Sequence, residues 1–205
     1  MKTKLIDYVN DGPIFITGHL NPDGDALGSA FALKIFFESQ NISSDVNFDI
    51  TTKLPSNLNH LPYHLISNDI KDKYNTVFVF DCGNSSRLGK YEEVVLAAEN
   101  IVVIDHHVDP SFGDVQIIDP EAASTTQVLF RQFKDENIEI NEEMSNCLLT
   151  GLITDTGRFQ YSNTTSEVFS IAAELLSKGA NLSQISENIY GSIEFNALTL
   201  QSKII

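Results

Sequence analysis

The sequence predicts an α/β protein: a mainly parallel sheet with flanking helices, followed by a helical segment. Two observations predict this class. Short runs that are apolar at every position alternate with helical patterns, and the pattern from Ala123 onward is mostly helical. Runs that are apolar throughout are typical of strands buried on both faces, as in a parallel sheet. Alternating strands and helices are the pattern of βαβ units, so we expect an α/β domain and then a helical part.

The continuous apolar runs at residues 77–80 and 101–104 predict two strands, residues 14–17 predict a short buried strand before them, and residues 115–118 are a further strand candidate. A turn rich in Asn, Pro, Asp and Gly follows the first strand. The helix predicted next, at about residues 26–40, is apolar on most of its circumference and should be buried.

Later in the chain, Thr164 with Glu167 three residues further on predicts a capping box, and Gly179 predicts the end of that helix. Residues 194–205 form another apolar helical pattern without a Gly or Pro stop signal. From this pattern we expect the natural chain to continue.

The composition excludes several classes of protein and partner. The 205 residues carry a formal net charge of −15, from 28 acidic and 13 basic residues. Such a chain repels long polyanions such as duplex DNA, but a short phosphorylated substrate held by cations is compatible with it. Cys82 and Cys147 stand outside any CxxC spacing, which favours a reducing compartment. No apolar run approaches the roughly 20 residues of a membrane helix, so we predict a cytoplasmic protein without a membrane partner.

The first candidate functional motif spans residues 18–29, GHLNPDGDALGS, between the first strand and the first long helix. Its His19, Asp23 and Asp25 would project at the carboxyl edge of the sheet, where α/β proteins build their sites. Three ligands within seven residues suit a divalent cation. The alternative is an Asx-rich turn with Asp25 as the helix N-cap, which requires no metal.

Three further motifs follow apolar elements in the same way. Asp81 comes directly after the second strand, although a single Asp there can simply cap a turn. Asp105, His106 and His107 follow the third strand, and two histidines beside an aspartate indicate imidazole ligation supported by a carboxylate. Asp155 ends an apolar helical run, where it could equally be a turn residue.

The repetition of these motifs is a stronger signal than any one of them. Carboxylates crowded at one sheet edge repel each other unless cations lie between them. Aspartate and histidine without cysteine favour Mn²⁺, with Mg²⁺, Co²⁺ or Zn²⁺ as alternatives. Six ligands are too many for one catalytic ion with open positions, and they suit two ions that share a bridging carboxylate. The predicted metal ligands are His19, Asp23, Asp25, Asp81, His106 and Asp155.

HLNPDGDALGS, the strand-end Asp81, DHH and GLITDTGRF, in this order, resemble the four motifs of the DHH phosphoesterase superfamily. The resemblance covers roughly residues 10–205. It is strongest to the RecJ-like branch of the superfamily, which includes the bacterial nanoRNases; these enzymes also act on 3′-phosphoadenosine 5′-phosphate. Members of the family usually carry a second, smaller C-terminal domain with a Gly-rich, His-containing substrate loop. The resemblance therefore implies a DHH domain at residues 1–185 and a helical linker at residues 186–205 toward a domain that this chain lacks.

The resemblance also implies a role for each site residue. One ion would be held by His19 and Asp23 and the other by Asp25 and His106. Asp81 would bridge the two ions, and Asp155 would complete the cluster. The predicted catalytic residues are His107, Asp81 and Asp105. His107 would face the substrate phosphate, and Asp105 would orient a metal ligand. Together with His107, Arg158 and Arg87 are the candidate substrate contacts, because arginine can bind phosphate through two N–H groups. The alternative is that both arginines form surface salt bridges.

The predicted function is two-metal-dependent hydrolysis of short oligonucleotides or dinucleotides, with nucleotide 3′-phosphates as further substrates. One alternative is a phosphatase similar to the manganese-dependent inorganic pyrophosphatases, which would call for more Lys and Arg near the motifs than the sequence offers. A second alternative is an inactive nucleotide-sensing module, against which the six intact ligand positions argue. A homodimer is compatible with the sequence.

Overall fold

A computed structural model describes residues 4–9, 12–108 and 111–191 of the chain. Its centre is a five-stranded sheet in the order β2-β1-β3-β4-β5, and every neighbouring pair of strands is parallel. The strands are β1 (Ile14–Gly18), β2 (Asp45–Val46), β3 (Thr76–Phe80), β4 (Asn100–Asp105) and β5 (Val115–Ile118). The predicted parallel α/β class and all four predicted strands are confirmed. The sequence did not predict β2, which is only two residues long.

The helices of the described part are α1 (Gly24–Ser39), α2 (Glu92–Leu96), α3 (Thr125–Asp135), α4 (Glu142–Asp155), α5 (Ser166–Ser177) and α6 (Leu182–Tyr190). Four short 3₁₀ segments, among them Ser85–Tyr91, occur in the connections. The helical segment after the sheet is confirmed as α3 to α6. Among the described residues, no helix combines the length and apolarity needed to cross a bilayer. The pattern at residues 194–205 lies outside the described residues, and the domain boundary at residue 185, which falls within α6, stays a prediction.

Both faces of the sheet are covered at its centre, which explains why the middle residues of β1, β3 and β4 are apolar and buried. Alternate side chains of β1, β3 and β4 pack in the core that contains α1, α3, α4 and α5. The intervening side chains, such as Phe15 and Val79, pack in a smaller cluster with Tyr91 and with Val95 of α2. The predicted burial of the first long helix is confirmed, because residues 24–37 of α1 are all buried.

Two predicted helix starts need correction. The cap of α5 is Thr165, whose side chain accepts from the Val168 amide at 3.4 Å, and not Thr164. The predicted capping box is therefore wrong, because the Glu167 carboxylate instead binds Arg131 of α3. Likewise, α1 is capped by Asp23 rather than by Asp25. The predicted stop is correct, since Gly179 lies beyond the end of α5 with φ of +105°.

Candidate metal centre

The four motifs meet at the carboxyl edge of the sheet. His19 directly follows β1, Asp81 directly follows β3, and Asp105 is the last residue of β4. The N-terminus of α1 and the C-terminus of α4 bring three more carboxylates to the same edge, those of Asp23, Asp25 and Asp155. Parallel strands end on the same side, so residues that are distant in sequence become neighbours there.

Asp81 lies at the middle of this cluster. Its Oδ2 is 3.4 Å from His19 Nε2, and its Oδ1 is 3.7 Å from His106 Nε2 and 3.3 Å from His107 Nδ1. The residue has a φ of 54°, in the left-handed region that aspartate and asparagine tolerate better than most side chains. The turn after β3 therefore places one buried carboxylate between three imidazole rings.

The donors form two groups on either side of Asp81. One group is His19, Asp23 and Asp81, and the other is Asp25, His106 and Asp155; within each group the donor atoms lie within 4.8 Å of one another. A third overlapping group joins Asp81 to the Asp105-His106-His107 run. All six predicted ligand residues are thus brought together at one place, and their division between two ions stays a prediction.

Backbone carbonyls orient two of the imidazoles. His19 Nδ1 donates to the Leu20 carbonyl at 2.9 Å, and His106 Nδ1 lies 3.3 Å from the Ala122 carbonyl. Nε2 of each ring faces the cluster carboxylates, and in the neutral form, with the proton on Nδ1, its lone pair is available to a metal ion. This is the tautomer that a metal ion requires of both rings.

Asp25 is held in place by the start of α3. Its two carboxylate oxygens accept from the backbone amides of Thr125 at 2.6 Å and Thr126 at 2.9 Å. These amides belong to the first turn of a helix, whose partial positive charge favours a carboxylate. On the side of α4, a Cβ on Gly151 would come within 2.6 Å of Asp25 Oδ1, so only glycine leaves room for this carboxylate.

The Asp105 carboxylate orients His107. Its Oδ1 accepts from the backbone amides of His106 and His107 and from His107 Nδ1, the last at 2.8 Å. Asp105 is fully buried, whereas the side chain of His107 is 49 % exposed. The pairing fixes one ring nitrogen of His107 and leaves the rest of the ring open to solvent at the rim of the cluster.

The acids and imidazoles perturb one another strongly. Burial disfavours a charge on His19, but Asp23 and Asp81 outweigh it and raise the pKa of this imidazole to about 10. At His106 burial is likewise outweighed, by Asp155 and the other carboxylates, and the pKa rises to about 9. Burial, followed by the negative charge of Asp155, raises the pKa of Asp25 well above its ordinary value. Without metal, bound protons therefore offset much of the acidic charge of the cluster.

The two candidate phosphate-binding arginines differ in their surroundings. Arg87 is exposed beside the cluster, where its carbonyl accepts from the Leu20 amide at 2.6 Å, and its guanidinium forms no ion pair with another described residue. Arg158 has its guanidinium carbon 3.6 Å from the centre of the Tyr190 ring. Neither arginine forms a surface salt bridge among the described residues, and their role as phosphate contacts stays a prediction.

Sequence reasoning missed two groups that shape the site. Thr125 and Thr126 support Asp25 through backbone amides, which no residue type signals. Asn163 donates to the Asp155 and Ala123 carbonyls, both at 3.1 Å, and so fixes the loop after α4 against the start of α3. The run of Ser and Thr that follows Ala123 was the available signal for the helix start at α3.

Comparison with known proteins shows the family. The family described as "DHH family, N-terminal domain" matches residues 13–152. A bifunctional oligoribonuclease and PAP phosphatase, NrnA of Thermus thermophilus, is 34% identical over 188 residues, which are 87% of this chain and 54% of that protein. The chain thus spans about half the length of the curated relatives it matches.

Solved structures agree with the fold. The structure of an exopolyphosphatase-related protein from Bacteroides fragilis has a TM-score of 0.84 and 29% identity, covering 94% of this chain and 60% of that one. A putative family II inorganic pyrophosphatase from Methanococcus jannaschii has a TM-score of 0.63 at 20% identity, over 85% and 58% of the two chains, and is similar in fold alone. With the family match over residues 13–152 and the four motifs assembled at one sheet edge, this chain belongs to the DHH family.

Proposed function

We propose that this protein is a two-metal-dependent phosphoesterase that hydrolyses short oligonucleotides or dinucleotides and removes the 3′-phosphate of nucleotides. The observation that carries the proposal is the convergence of six aspartate and histidine donor residues, with the buried Asp81 carboxylate in their middle. The similarity to the bifunctional oligoribonuclease and PAP phosphatase of Thermus thermophilus supports the choice of substrate class. A cytoplasmic location and a homodimer remain predictions from the sequence.

The donor set fits a pair of divalent cations. His19 and Asp23 would bind one ion, His106, Asp25 and Asp155 would bind the other, and Asp81 would contact both. Asp25 is fully buried among other acids, an arrangement that is costly for free carboxylates but favourable around cations. Oxygen and imidazole donors without thiolate favour Mn²⁺, with Mg²⁺, Co²⁺ and Zn²⁺ as alternatives.

Two such ions supply a water of lowered pKa and positive charge for the phosphoryl oxygens. The protein's own residues then position the substrate. His107 stands half-exposed at the rim, where its imidazolium can contact a phosphoryl oxygen or protonate the leaving oxygen. The Asp105 carboxylate holds that ring in place through Nδ1. Arg87, exposed next to the loop of His19, provides a guanidinium for a second phosphate oxygen.

The substrate class is tested with the purified chain in the presence of Mn²⁺. The substrates are a dinucleotide, 3′-phosphoadenosine 5′-phosphate and inorganic pyrophosphate. We expect hydrolysis of the first two. Rapid pyrophosphate cleavage with the dinucleotide left intact would instead support a pyrophosphatase-like enzyme. Tight nucleotide binding with no turnover, in this chain and in any longer natural form, would support the sensing module.

Metal binding is expected to release protons. At pH 7 the metal-free protein carries a proton on His19 (pKa about 10) and on His106 (pKa about 9), and a metal ion must displace both. Metal affinity should therefore rise with pH up to about 9 to 10 and level off above that range. For the metal-free fold the sign is opposite: these protonated imidazoles stabilise it fully below pH 6.5, and this contribution is lost as the pH rises through the raised pKa values.

Calorimetric titration with Mn²⁺ in two buffers of different ionisation enthalpy measures the released protons directly. We expect at least about two protons at pH 7, one from each histidine, since each is protonated below its raised pKa, and the raised pKa of Asp25 can only add to this number. The matched control is His19→Gln, in which the number should fall by about one. A binding enthalpy that does not depend on the buffer would contradict the assignment of both imidazoles as ligands.

His107→Ala is expected to lower kcat by roughly 10²–10⁴-fold, the range for loss of a positioned acid or base, while metal content stays at the wild-type level. The reason is that the His107 ring is held at the rim by Asp105 and belongs to neither of the two groups that contain the six predicted ligands, although it shares the third group with Asp81. Turnover and metal analysis of the same preparation separate the two effects. Val108→Ala, at a neighbouring side chain that is 71 % exposed, is the control. Loss of metal together with turnover would make His107 a ligand instead.

A further inference from the structure

A cleft of about 310 Å³ opens beside the metal centre, a size within the range of small-molecule sites. Its walls come from the end of α4, the loop that follows, and α6. The lining residues that matter here are Thr154, Gly157, Arg158, Gln160, Tyr161 and Tyr190. None of these residues belongs to the donor groups around Asp81.

Thr154 connects the cleft to the ligands. Thr154 forms part of its wall and precedes Asp155 in the chain. On the other side, the Thr154 side chain packs so closely on Gly24 that a Cβ there would come within 2.6 Å of Thr154 Cγ2. Gly24 lies between Asp23 and Asp25. One wall residue of the cleft thus stands between ligand residues at the end of α4 and at the start of α1, which places the cleft on that side of the cluster.

Tyr161 gives the cleft an open aromatic surface. Its side chain packs on the backbone of Gly157, where an added Cβ would lie 2.4 Å from the ring carbon Cζ. The rest of the residue is open, since Tyr161 is 62 % exposed. A large ring supported on one side and accessible on the other is the arrangement on which nucleobases stack.

Arg158 and Gln160 supply polar groups in the same cleft. Gly157, Arg158 and Phe159 have φ values of 53°, 62° and 64°, so three successive residues lie in the left-handed region. For Arg158 and Phe159 this backbone carries strain, and in this turn the Arg158 guanidinium lies over the Tyr190 ring at 3.6 Å. A guanidinium in contact with a ring keeps N–H donors free at its edge, and the Gln160 amide is both donor and acceptor.

We propose that this cleft is a nucleobase subsite, in which the base of the substrate stacks on Tyr161 and its edge contacts Arg158 and Gln160. The inference rests on the proposed phosphoesterase function and deepens it, because it makes the preferred substrates phosphoesters that carry a base next to the scissile phosphate. Pyrophosphate and other base-free phosphates would leave the cleft unused.

The test compares 3′-phosphoadenosine 5′-phosphate with its abasic counterpart, 1-deoxyribose 3,5-bisphosphate. In the wild-type protein we expect kcat/KM to favour the base-bearing substrate. Tyr161→Ala should lower this preference by about 10- to 100-fold, mainly through KM, which is the range measured when a stacking aromatic is removed. Tyr161→Phe keeps the ring and should retain the preference. Equal turnover of both substrates by the wild type, or no effect of Tyr161→Ala, would overturn the subsite.

Adenosine binding separates failure of the subsite from failure of the proposed function. Adenosine has no phosphate, so it can be titrated with chelator present and followed by NMR chemical shifts. Binding that is lost in Tyr161→Ala and kept in Tyr161→Phe supports the subsite even if no phosphoester is hydrolysed, in which case the proposed function falls alone. If the protein hydrolyses base-bearing and abasic phosphoesters equally well and does not bind adenosine, the proposed function stands and the nucleobase subsite is refuted.

Discussion

Asp81→Asn is expected to lower turnover by at least about 10²–10³-fold, the cost of removing a single group that stabilises a transition state, and to lower the content of bound Mn²⁺. The reason is the central position of this carboxylate. It lies 3.3–3.7 Å from nitrogen atoms of three imidazoles and belongs to a donor group with His19 and Asp23. An amide keeps the shape but loses the charge that two cations would share.

Asparagine is a better test than alanine at this position. The φ of 54° is tolerated by asparagine, so the substitution adds little backbone strain. The amide oxygen can still accept from Thr125 Oγ1, which lies 3.3 Å from Asp81 Oδ1. A change in metal content can therefore be attributed to the lost charge. The charge also matters without metal, because it raises the pKa of His19 and His107, and both values should fall in the variant.

Metal analysis and turnover of one preparation measure the first two consequences of Asp81→Asn, and thermal unfolding checks that the variant is folded. Asp45→Asn is the matched control, since that aspartate pairs with Lys71 at the β2 edge of the sheet and does not belong to the donor groups. It should keep wild-type metal content and turnover. Wild-type values in Asp81→Asn would remove the bridging role, and with it the two-metal interpretation of the cluster.

The parts of the site that the sequence predicted are those that depend on strand order. Apolar runs mark strands buried on both faces, and parallel strands end at one edge, so the side chains after β1, β3 and β4 had to meet. The two-residue strand β2 contains no apolar run, so the sequence did not predict it. The support of Asp25 was not predictable either, because it comes from backbone amides about 100 residues away, at Thr125 and Thr126.

The contact of Arg158 was beyond sequence reasoning for a different reason. An arginine beside a catalytic motif suggests a phosphate contact, but its direction depends on the left-handed turn at residues 157–159. Among residues 157–159, Gly157 is the only one whose residue type indicates a left-handed backbone conformation. Tyr190, the partner ring, lies 32 positions further along, in α6. A local sequence pattern shows which functional groups are present, whereas tertiary packing determines which group each of them contacts.

Gly28→Ala is expected to destabilise the fold by about 3 kcal/mol, the upper part of the usual range for overpacking a core. A Cβ on Gly28 would lie 2.4 Å from the Cys147 carbonyl oxygen and 3.5 Å from the Gly151 amide nitrogen, both backbone atoms of α4. A backbone carbonyl cannot rotate away as a side chain can, so α1 and α4 must move apart. Thermal unfolding should report a fall in Tm of about 6–12 °C for a chain of this size.

The same displacement should weaken metal binding, which connects the packing of this glycine to the proposed chemistry. Asp23 and Asp25 stand at the start of α1 and Asp155 at the end of α4, so separating the helices separates the donors. Gly83→Ala is the matched control, because a Cβ there would meet only atoms at 3.8 Å, and its stability should stay within about 0.5 kcal/mol of wild type. If Gly28→Ala lost stability but bound Mn²⁺ as tightly as Gly83→Ala, the spacing of α1 and α4 would not control the metal site, and the close contact at Gly28 would serve the core alone.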